Sequence, residues 1–522
     1  MMNLTKTIGS ALTLASAFAC LNGAGAQDRP NILFAFGDDM GRYQSIYDSI
    51  EGGNTPNSII KTPNFDRIAR EGAVFMNAHV TAPSCTPCRS SLLSGQYFWR
   101  TGRGAILQGA VWDDQIPSYP LILKDNGYHI GRTYKVWYPG TPANAPYGGP
   151  SENKYEGAGR DFCFFSQTIL QYSTDEAIAS ERQRLFDEVV NNFEGFLSDR
   201  EEGQPFCYWW GPWNTHRPWA EGSGSKLWNI NPDDLIGKLP SGLPDEPEIR
   251  EDFADYLGEV LAFDYALGLI IQKLEEIGEL DNTVIVVSGD HGIPGFPRAK
   301  CNLYNFGTHV PLAVRYPSMI DSGRVVEDMV NLMDLAPTFL QLGEVDIPDV
   351  MTGKSLVPVM EAPGSGVIDP TRNYVVTGRE RHVASARPGN LPYPQRAIIK
   401  VIDGKQYKYI RNFKPERWPV GHIGNSFPDL GDGPTKTWYL NNYCNPEYSY
   451  YMDLAFAKRP YEELYDLSAD PWEVNNLAGQ VEMTVIKDEL SDQLETVLTE
   501  TNDPRMAEGV SVFDRLPYTI AN

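Results

Sequence analysis

Positive charge is scarce in this sequence. It has 44 lysines and arginines against 68 aspartates and glutamates, which gives a formal net charge of −24 over 522 residues. Proteins that bind nucleic acids or anionic membranes neutralise phosphates with a basic face, so this balance argues against both classes of partner. An anionic ligand would have to be held by a few local cations, because net charge governs solubility and steering more than site chemistry.

Cysteine is also sparse, with seven in the chain. Disulfide scaffolds are small secreted domains with a much higher cysteine content, so this fold must depend on a hydrophobic core. Apolar residues make up 42% of the sequence and charged residues 21%, which is typical of globular proteins and excludes a disordered chain. Pairing cannot be deduced for the cysteines beyond the N-terminal segment, which are Cys85, Cys88, Cys163, Cys207, Cys301 and Cys444.

Long hydrophobic runs are absent except near the N-terminus. Residues 8–21 form a mostly apolar stretch behind Lys6, and a small-x-small cleavage site ends at Ala26. Residues 1–26 are therefore predicted to be a secretory signal peptide. Cys20 follows a poor lipoprotein box, which favours cleavage over lipid anchoring. We expect a secreted or periplasmic protein without a membrane span, because no later run approaches about 20 apolar residues.

Short apolar runs alternate with helical patterns through the first two thirds of the chain. Buried strands are predicted at residues 30–36, 206–210 and 284–287, and helices at 64–71, 90–93, 180–198 and 252–280. This alternation favours an α/β fold with a large, mainly parallel sheet sandwiched by helices. Such sheets place ligand sites beyond the carboxyl ends of their strands.

The composition changes to linker-like residues at 362–366. Beyond this point short strand-like runs lie between turns, at residues 397–402, 407–412 and 463–467. They predict a smaller C-terminal antiparallel α+β subdomain. The expected organisation is a signal peptide at 1–26, a catalytic domain at 27–366 and a C-terminal subdomain at 367–522.

Acidic residues directly follow two of the predicted strands. Asp38 and Asp39 come after the first strand, and Asp290 and His291 come after the third. Each motif alone also fits a solvated turn. Together they supply three carboxylates and an imidazole at neighbouring strand ends, and crowded buried carboxylates need neutralising. Oxygen-rich ligation suits Ca²⁺ or Mg²⁺ better than zinc.

A third cluster is the string SCTPCRSSLLSG, which starts at Ser84. Its Cys85 and Cys88 fit a C-x-x-C redox or zinc pair, but zinc would want a second pair nearby and a thioredoxin-like motif normally lies in a smaller domain. The whole string resembles the sulfatase signature C-x-P-x-R followed by L-[ST]-G. The resemblance extends over nearly the whole mature chain and implies an alkaline-phosphatase-like fold.

In the sulfatase family a maturation enzyme converts the first cysteine of the signature to formylglycine, whose hydrate is the nucleophile. The resemblance implies that Cys85 is this residue and that Arg89 steadies it as a cation. Pro87 sets a turn, and the helix that follows places its N-terminus near the anion. The resemblance also implies a bound divalent cation, Ca²⁺ or alternatively Mg²⁺, with the ligands Asp38, Asp39, Asp290, His291 and an oxygen of modified Cys85.

Further sulfatase landmarks occur in the expected order. Lys135 and Lys300 resemble the two sulfate-binding lysines, and His216 in the element NTHRP resembles the proton donor or sulfate ligand. One departure concerns the histidine that usually follows the first lysine, because Trp137 and Tyr138 stand there. Either Tyr138 supplies a hydrogen bond in its place, or the contact is absent and the pocket differs.

The resemblance indicates a sulfated carbohydrate as the substrate partner, of glycosaminoglycan or algal origin. Residues 304–311 resemble iduronate-2-sulfatase-like members, and residues 303–304 with the C-terminal region resemble heparan N-sulfatases, so the subfamily stays open. A basic cluster in the C-terminal region suits a sulfate or carboxylate group, and Arg381, His382 and Arg396 are its predicted substrate-binding residues. Trp213, Trp219 and Trp418 are candidates for stacking on sugar rings, although aromatic residues usually belong to cores.

Two alternatives remain open at this point. A phosphodiester or phosphonate ester hydrolase of the same superfamily can share the formylglycine. A catalytically silent sugar-binding homologue would result if Cys85 stayed unmodified.

Overall fold

The computed structural model describes residues 29–520. The predicted signal peptide and Cys20 lie outside the described residues. Within the described range no helix is both long and apolar enough to cross a membrane. All six cysteines of this range are free thiols.

The larger of two sheets has seven strands in the order β3-β4-β1-β5-β6-β2-β7. Its strands are β1 Asn31–Gly37, β2 Ala73–His79, β3 His129–Tyr134, β4 Phe206–Gly211, β5 Thr283–Gly289, β6 Leu312–Arg315 and β7 Arg324–Asn331. All neighbouring pairs are parallel except the two that involve β6. The sheet is therefore mainly parallel, as predicted.

Helices cover both faces of this sheet. The fourteen α-helices within residues 29–520 are α1 Ser45–Glu51, α2 Pro63–Glu71, α3 Cys85–Ser94, α4 Tyr119–Asp125, α5 Phe165–Ile169, α6 Asp175–Ser198, α7 Ser223–Trp228, α8 Pro247–Glu276, α9 Asn305–Thr308, α10 Leu335–Leu342, α11 Val357–Glu361, α12 Pro434–Asn441, α13 Ser449–Phe456 and α14 Thr484–Glu500. Side chains of β1 alternate between two cores. Ile32 and Phe34 join the core that contains residues of α3, α4 and α10, whereas Leu33 and Ala35 join the core that contains residues of α6 and α8.

The second sheet is antiparallel and has the strand order β11-β10-β9-β8. Its strands are β8 Tyr374–Arg379, β9 Gln395–Ile402, β10 Lys405–Asn412 and β11 Glu462–Asp466. Helix α14 packs on one face through Leu490, Leu494 and Leu498. The other face of this sheet packs against Leu303 and against Met329 of β7. The predicted fold class is thus confirmed, while the domain boundary at 366/367 stays a prediction.

One predicted helix differs from the structure in a way that matters for function. The expected helix at 90–93 is α3, and it begins five residues earlier, at Cys85. Pro87 is its third residue, and proline is tolerated in a first helical turn because the amide there has no intrahelical acceptor. Cys85 is consequently the first residue of a buried helix rather than part of the loop before it.

Candidate active site

The ends of β1 and β5 bring the acidic motifs together. The two strands are parallel with Gly37 opposite Gly289, so the residues after them leave the sheet side by side. The Asp39 amide donates a hydrogen bond to Asp290 Oδ1 at 2.7 Å. Asp39 has a φ of 61°, a left-handed conformation that a non-glycine residue adopts at a cost. The acidic motifs are therefore joined through the backbone as well as through side chains.

Two side chains outside the predicted set hold this backbone. Tyr256 of α8 donates its hydroxyl hydrogen to the Asp39 carbonyl at 3.0 Å and accepts from the Gly41 amide at 2.8 Å. The Thr215 hydroxyl donates to the Asp38 carbonyl at 2.6 Å. Thr215 lies in the NTHRP element next to His216, whereas no local sequence pattern marks Tyr256, which reaches the site from the distant helix α8.

Cys85 faces these motifs from the N-terminus of α3. Its Sγ lies 3.4 Å from His291 Nε2 and 3.7 Å from Asp39 Oδ1. Burial and the charge of Asp38 raise the pKa of the thiol to about 12 although Lys135 and Lys300 lower it. The unmodified side chain is therefore a protonated thiol near neutral pH, which is a weak nucleophile.

Arg89 lies one turn along α3 and ties two of the acids together. Its Nε donates to Asp290 Oδ2 at 2.9 Å and its Nη2 to Asp38 Oδ1 at 3.1 Å. The guanidinium is fully buried, and so are both carboxylates. Its remaining Nη1 donates to the Lys135 and Val136 carbonyls. Arg89 thus fixes the carboxylates and closes the base of the site.

Two lysines complete the charge balance. Lys135 follows β3 and places Nζ 2.6 Å from both carboxylate oxygens of Asp38, while Lys300 Nζ lies 2.9 and 2.8 Å from those of Asp39. Burial alone would raise the pKa of Asp38, but Lys135 and Arg89 hold it well below its usual range. Lys300 likewise outweighs burial and lowers the pKa of Asp39. Both aspartates are ionised at neutral pH.

The donor set fits a divalent cation. His291 Nδ1 lies 3.0 Å from the Gly292 carbonyl, so the ring donates there and leaves the Nε2 lone pair facing inward. That Nε2 is 3.2 Å from Asp39 Oδ1 and 3.6 Å from Asp290 Oδ1. Ligand atoms of these three residues and of Cys85 all lie within 4.8 Å of one another. Lone pairs and anionic oxygens that converge in this way need a cation between them.

Asp38 holds a different place in the predicted metal set. It groups with Asp39 and His216 rather than with Asp290 and His291. In this structure its carboxylate faces Lys135 and Arg89. The structure therefore brings all five predicted metal residues to one site, with Asp38 on its lysine side.

His216 lies on the open side of the site. Its Nδ1 hydrogen-bonds to the Arg217 carbonyl, and its Nε2 is 3.8 Å from Asp39 Oδ2. Burial lowers the pKa of the imidazole, although Asp39 raises it. Nε2 is the atom that can hold or release a proton toward a bound ligand.

Trp137 and Tyr138, which stand where the family usually has a histidine, lie in different environments. Trp137 is buried, and its indole Nε1 donates to Ser90 Oγ at 2.7 Å. Tyr138 is 57% exposed and lines the cavity in front of the site. Only Tyr138 is therefore placed to meet a ligand.

A cavity of about 1250 Å³ opens in front of these groups, which is above the usual range of small-molecule pockets. Among the residues that line it are Asp38, Cys85, Lys135, His216, Lys300 and His382. His382 is held by Ser84, the residue before Cys85, through a 2.8 Å hydrogen bond between Nδ1 and Oγ. His382 thus reaches the cavity from the C-terminal region, and its role in binding substrate stays a prediction.

Arg381 and Arg396 do not line this cavity. Arg396 is fully buried and pairs with Asp503 at 2.5 Å and Glu380 at 2.9 Å. Arg381 is 2% exposed and donates to the carbonyl oxygens of Gln108 and Ile520. The Arg396 guanidinium is occupied by two carboxylates, whereas Arg381 bonds only through Nη2 and is buried outside the cavity lining. Neither side chain is therefore placed to contact a ligand in the cavity.

Another wall of the cavity carries cations that sequence reasoning missed. Arg132, Lys154 and Arg160 line it together with Trp213. Of these only Trp213 was a candidate from sequence. Arg132 belongs to β3, and the segment between β3 and α5 that carries Lys154 and Arg160 is rich in glycine, proline and polar residues without a motif that would single them out.

Comparison with known proteins agrees with this geometry. A family model described as Sulfatase matches residues 30–345. N-sulphoglucosamine sulphohydrolase from Homo sapiens is 28% identical over 502 residues, which are 91% of this chain and 91% of that protein. An ulvan-active sulfatase from Formosa agariphila is 23% identical over 508 residues, covering 91% of this chain and 76% of the relative.

Solved structures share the fold. A protein in complex with its substrate D-glucosamine-2-N,6-O-disulfate has a TM-score of 0.59 at 20% identity, over 92% of this chain and 100% of that one. A phosphonate monoester hydrolase from Agrobacterium radiobacter also has a TM-score of 0.59, at 18% identity over 91% and 96%. The fold alone therefore does not separate the two activities. The family model, however, matches more than half of the sequence, and the chain belongs to the sulfatase family.

Proposed function

We propose that this sulfatase hydrolyses sulfate esters of a sulfated carbohydrate at a formylglycine made from Cys85. The observation that carries the proposal is the position of Cys85 at the N-terminus of a buried helix, with Asp39 and His291 within 3.7 Å of its Sγ. A helix N-terminus favours an anion, and three cationic side chains surround the same point. This arrangement suits a nucleophile that attacks the sulfur of a bound sulfate ester.

Residue 85 supplies the chemistry in its modified form. A hydrated formylglycine offers a nucleophilic hydroxyl and a second hydroxyl that can expel sulfate, a route that a simple cysteine or serine ester lacks. The raised pKa of the unmodified Cys85 thiol is consistent with this need for modification. A formylglycine-generating maturation enzyme is accordingly a required partner.

A divalent cation belongs to the proposal as well. Asp39, Asp290 and His291 would hold it together with Asp38 and residue 85, and the oxygen-rich set favours Ca²⁺, with Mg²⁺ as the alternative. When bound, the ion supplies Lewis-acid polarisation of the sulfate oxygens and lowers the pKa of an oxygen nucleophile. Its ligands are already oriented by the Asp39 amide and by Arg89.

The cationic side chains bind and orient the sulfate. Lys135 and Lys300 are 8% and 7% exposed and line the cavity, so their ammonium groups lie between the carboxylates and the incoming ligand. They would balance the charge on the sulfuryl group during transfer, which is the usual electrostatic contribution to catalysis. His216 presents Nε2 beside them and would protonate the departing sugar oxygen or hydrogen-bond to the sulfate.

Similar proteins and the cavity support a carbohydrate substrate. The relatives are named for N-sulphoglucosamine and for ulvan, and the cavity has room for a sugar ring. The predicted signal peptide at 1–26 adds a secreted or periplasmic location, where polysaccharide fragments are met. We therefore propose glycosaminoglycan or algal fragments as the substrate class.

Sulfate release tests the proposal. Purified protein, produced together with a maturation enzyme, is assayed on an aryl sulfate, on sulfated mono- and disaccharides, and on aryl phosphodiester and phosphonate esters. We expect sulfate release that Cys85→Ala abolishes, while Cys88→Ser retains most of it because Cys88, unlike Cys85, does not line the cavity. Faster turnover of phosphodiester or phosphonate esters would contradict the proposal, and so would an active Cys85→Ala variant.

A further inference from the structure

Six lysine and arginine side chains line the active-site cavity, and one of them differs from the rest. Five lie within 4.0 Å of a carboxylate, in the pairs Arg132–Glu156, Lys135–Asp38, Lys154–Glu156, Arg217–Asp252 and Lys300–Asp39. Arg160 has no carboxylate partner among residues 29–520 and makes no side-chain hydrogen bond there. Acidic residues outnumber basic ones in this chain, whose net charge is −24, yet Arg160 is not paired with any of those in the described range. Its guanidinium is therefore available to a ligand.

Trp213 fixes the position of Arg160. The guanidinium carbon lies 4.6 Å from the centre of the indole ring. The indole is held in turn by edge contacts with Tyr134 and Phe164, whose ring centroids are 6.2 and 5.9 Å away. A guanidinium stacked on an aromatic face keeps its in-plane N–H donors free, and these match a carboxylate or sulfate through two parallel hydrogen bonds.

The same loop links Arg160 to the reacting groups. The Trp213 carbonyl accepts a hydrogen bond from the His216 amide at 3.0 Å, so the indole lies one tight turn before the histidine. His216 reaches Asp39 at 3.8 Å. The wall that holds Arg160 is thus continuous with the wall that would receive the leaving group.

The charge of this wall is also unbalanced. Arg132, Lys154 and Arg160 lie on it against a single carboxylate, that of Glu156. The cavity exceeds the usual volume of a small-ligand pocket, which leaves space beyond the sulfate that reacts. A ligand with one anionic group at Cys85 and another at this wall would satisfy both regions.

We propose that Arg160, held on Trp213, binds a second anionic group of the carbohydrate whose sulfate ester reacts at residue 85. The substrate class is therefore a carbohydrate with at least two anionic groups, the second being a carboxylate or another sulfate. This inference rests on the proposed function and names its specificity residue. It replaces the contacts that the sequence predicted for Arg381 and Arg396.

The test compares substrates that differ in one charge. Wild-type protein and Arg160→Gln are assayed on an aryl sulfate, a monosulfated sugar, the same sugar with a second sulfate, and a sulfated disaccharide that carries a uronate. The matched control is Arg70→Gln, because Arg70 is an exposed arginine that pairs with Asp66 and does not line the cavity.

We expect Arg160→Gln to raise KM for a dianionic sugar about ten- to a hundredfold more than KM for the aryl sulfate, as the loss of a charge-assisted hydrogen-bond pair implies. Arg70→Gln should leave this ratio unchanged. If KM rises for the disulfated sugar, the second group is a sulfate, and if it rises for the uronate-containing disaccharide, the second group is a carboxylate. An equal effect of Arg160→Gln on all substrates, or no effect, would overturn the inference even if sulfate is released. No turnover of any sulfate ester by the wild type would instead refute the proposed function.

Discussion

Replacing Arg396 with methionine separates a structural arginine from a substrate-binding one. Its guanidinium donates to Asp503 through Nε and Nη2 and to Glu380 through Nη2, and it packs on the rings of Phe98 and Trp99 at 4.9 and 5.2 Å. Methionine keeps much of the apolar contact but leaves Asp503 without its buried cation. Glu380 retains Arg505 at 2.6 Å, so one carboxylate carries most of the loss.

Breaking a buried pair by removing one partner costs about 3–5 kcal/mol. At roughly 2 cal/mol/K per residue, the unfolding entropy of residues 29–520 is on the order of 1 kcal/mol/K, so the melting temperature should fall by about 3–5 °C. Thermal unfolding followed by tryptophan fluorescence measures this shift. The control is Arg184→Met, which breaks an ion pair of an exposed arginine and should lower the free energy of unfolding by about 1 kcal/mol or less. KM for a sulfated sugar should stay within about twofold of the wild-type value in the folded variant. A raised KM with an unchanged melting temperature would refute the structural role and restore the substrate contact predicted from sequence.

Three further predictions concern the site and its support. Asp290→Asn should weaken Ca²⁺ binding and sulfate release together, because it removes a charged ligand. Calorimetric titration with Ca²⁺ checks this, with the exposed Asp281→Asn as the control. Ca²⁺ binding at wild-type strength would contradict the assigned ligand set. Tyr256→Phe should lower the free energy of unfolding by about 1–3 kcal/mol, since the Gly41 amide and the Asp39 carbonyl lose a buried partner. It should also weaken Ca²⁺ binding. A loss of stability with unchanged Ca²⁺ binding would show that Tyr256 does not position the metal ligands. Burial raises the pKa of Glu259 from 4.5 to about 7, so the folded state binds more protons than the unfolded chain in this range and stability falls as pH rises through it. Melting temperatures of Glu259→Gln should therefore decline less between pH 5 and pH 8 than those of the wild type, and parallel declines would contradict the raised pKa.

Much of the fold and of the reacting centre could be predicted because their signals are local. Asp38 directly follows a buried strand, and residues after a strand of a parallel sheet lie at the carboxyl edge of that sheet. Its location could therefore be predicted. The position of Cys85 also followed from a continuous string, although the start of α3 did not. A proline within a first helical turn is compatible with several starting residues, so the sequence alone does not choose among them.

Partners that are distant in sequence explain what could not be predicted. A cluster of arginines looks like an anion site in the sequence, but Asp503 lies 107 residues beyond Arg396 and occupies its guanidinium. Arg160 gives the opposite case, because nothing near it in the sequence marks it as unpaired or places it on Trp213. Whether an arginine is occupied or available is a property of the folded chain.

Mass spectrometry of the peptide that contains Cys85, taken from protein that releases sulfate, shows directly whether residue 85 is the modified nucleophile. We expect its thiol-bearing carbon to have become an aldehyde, with Cys88 in the same peptide unmodified. An intact thiol at residue 85 in fully active protein would contradict it.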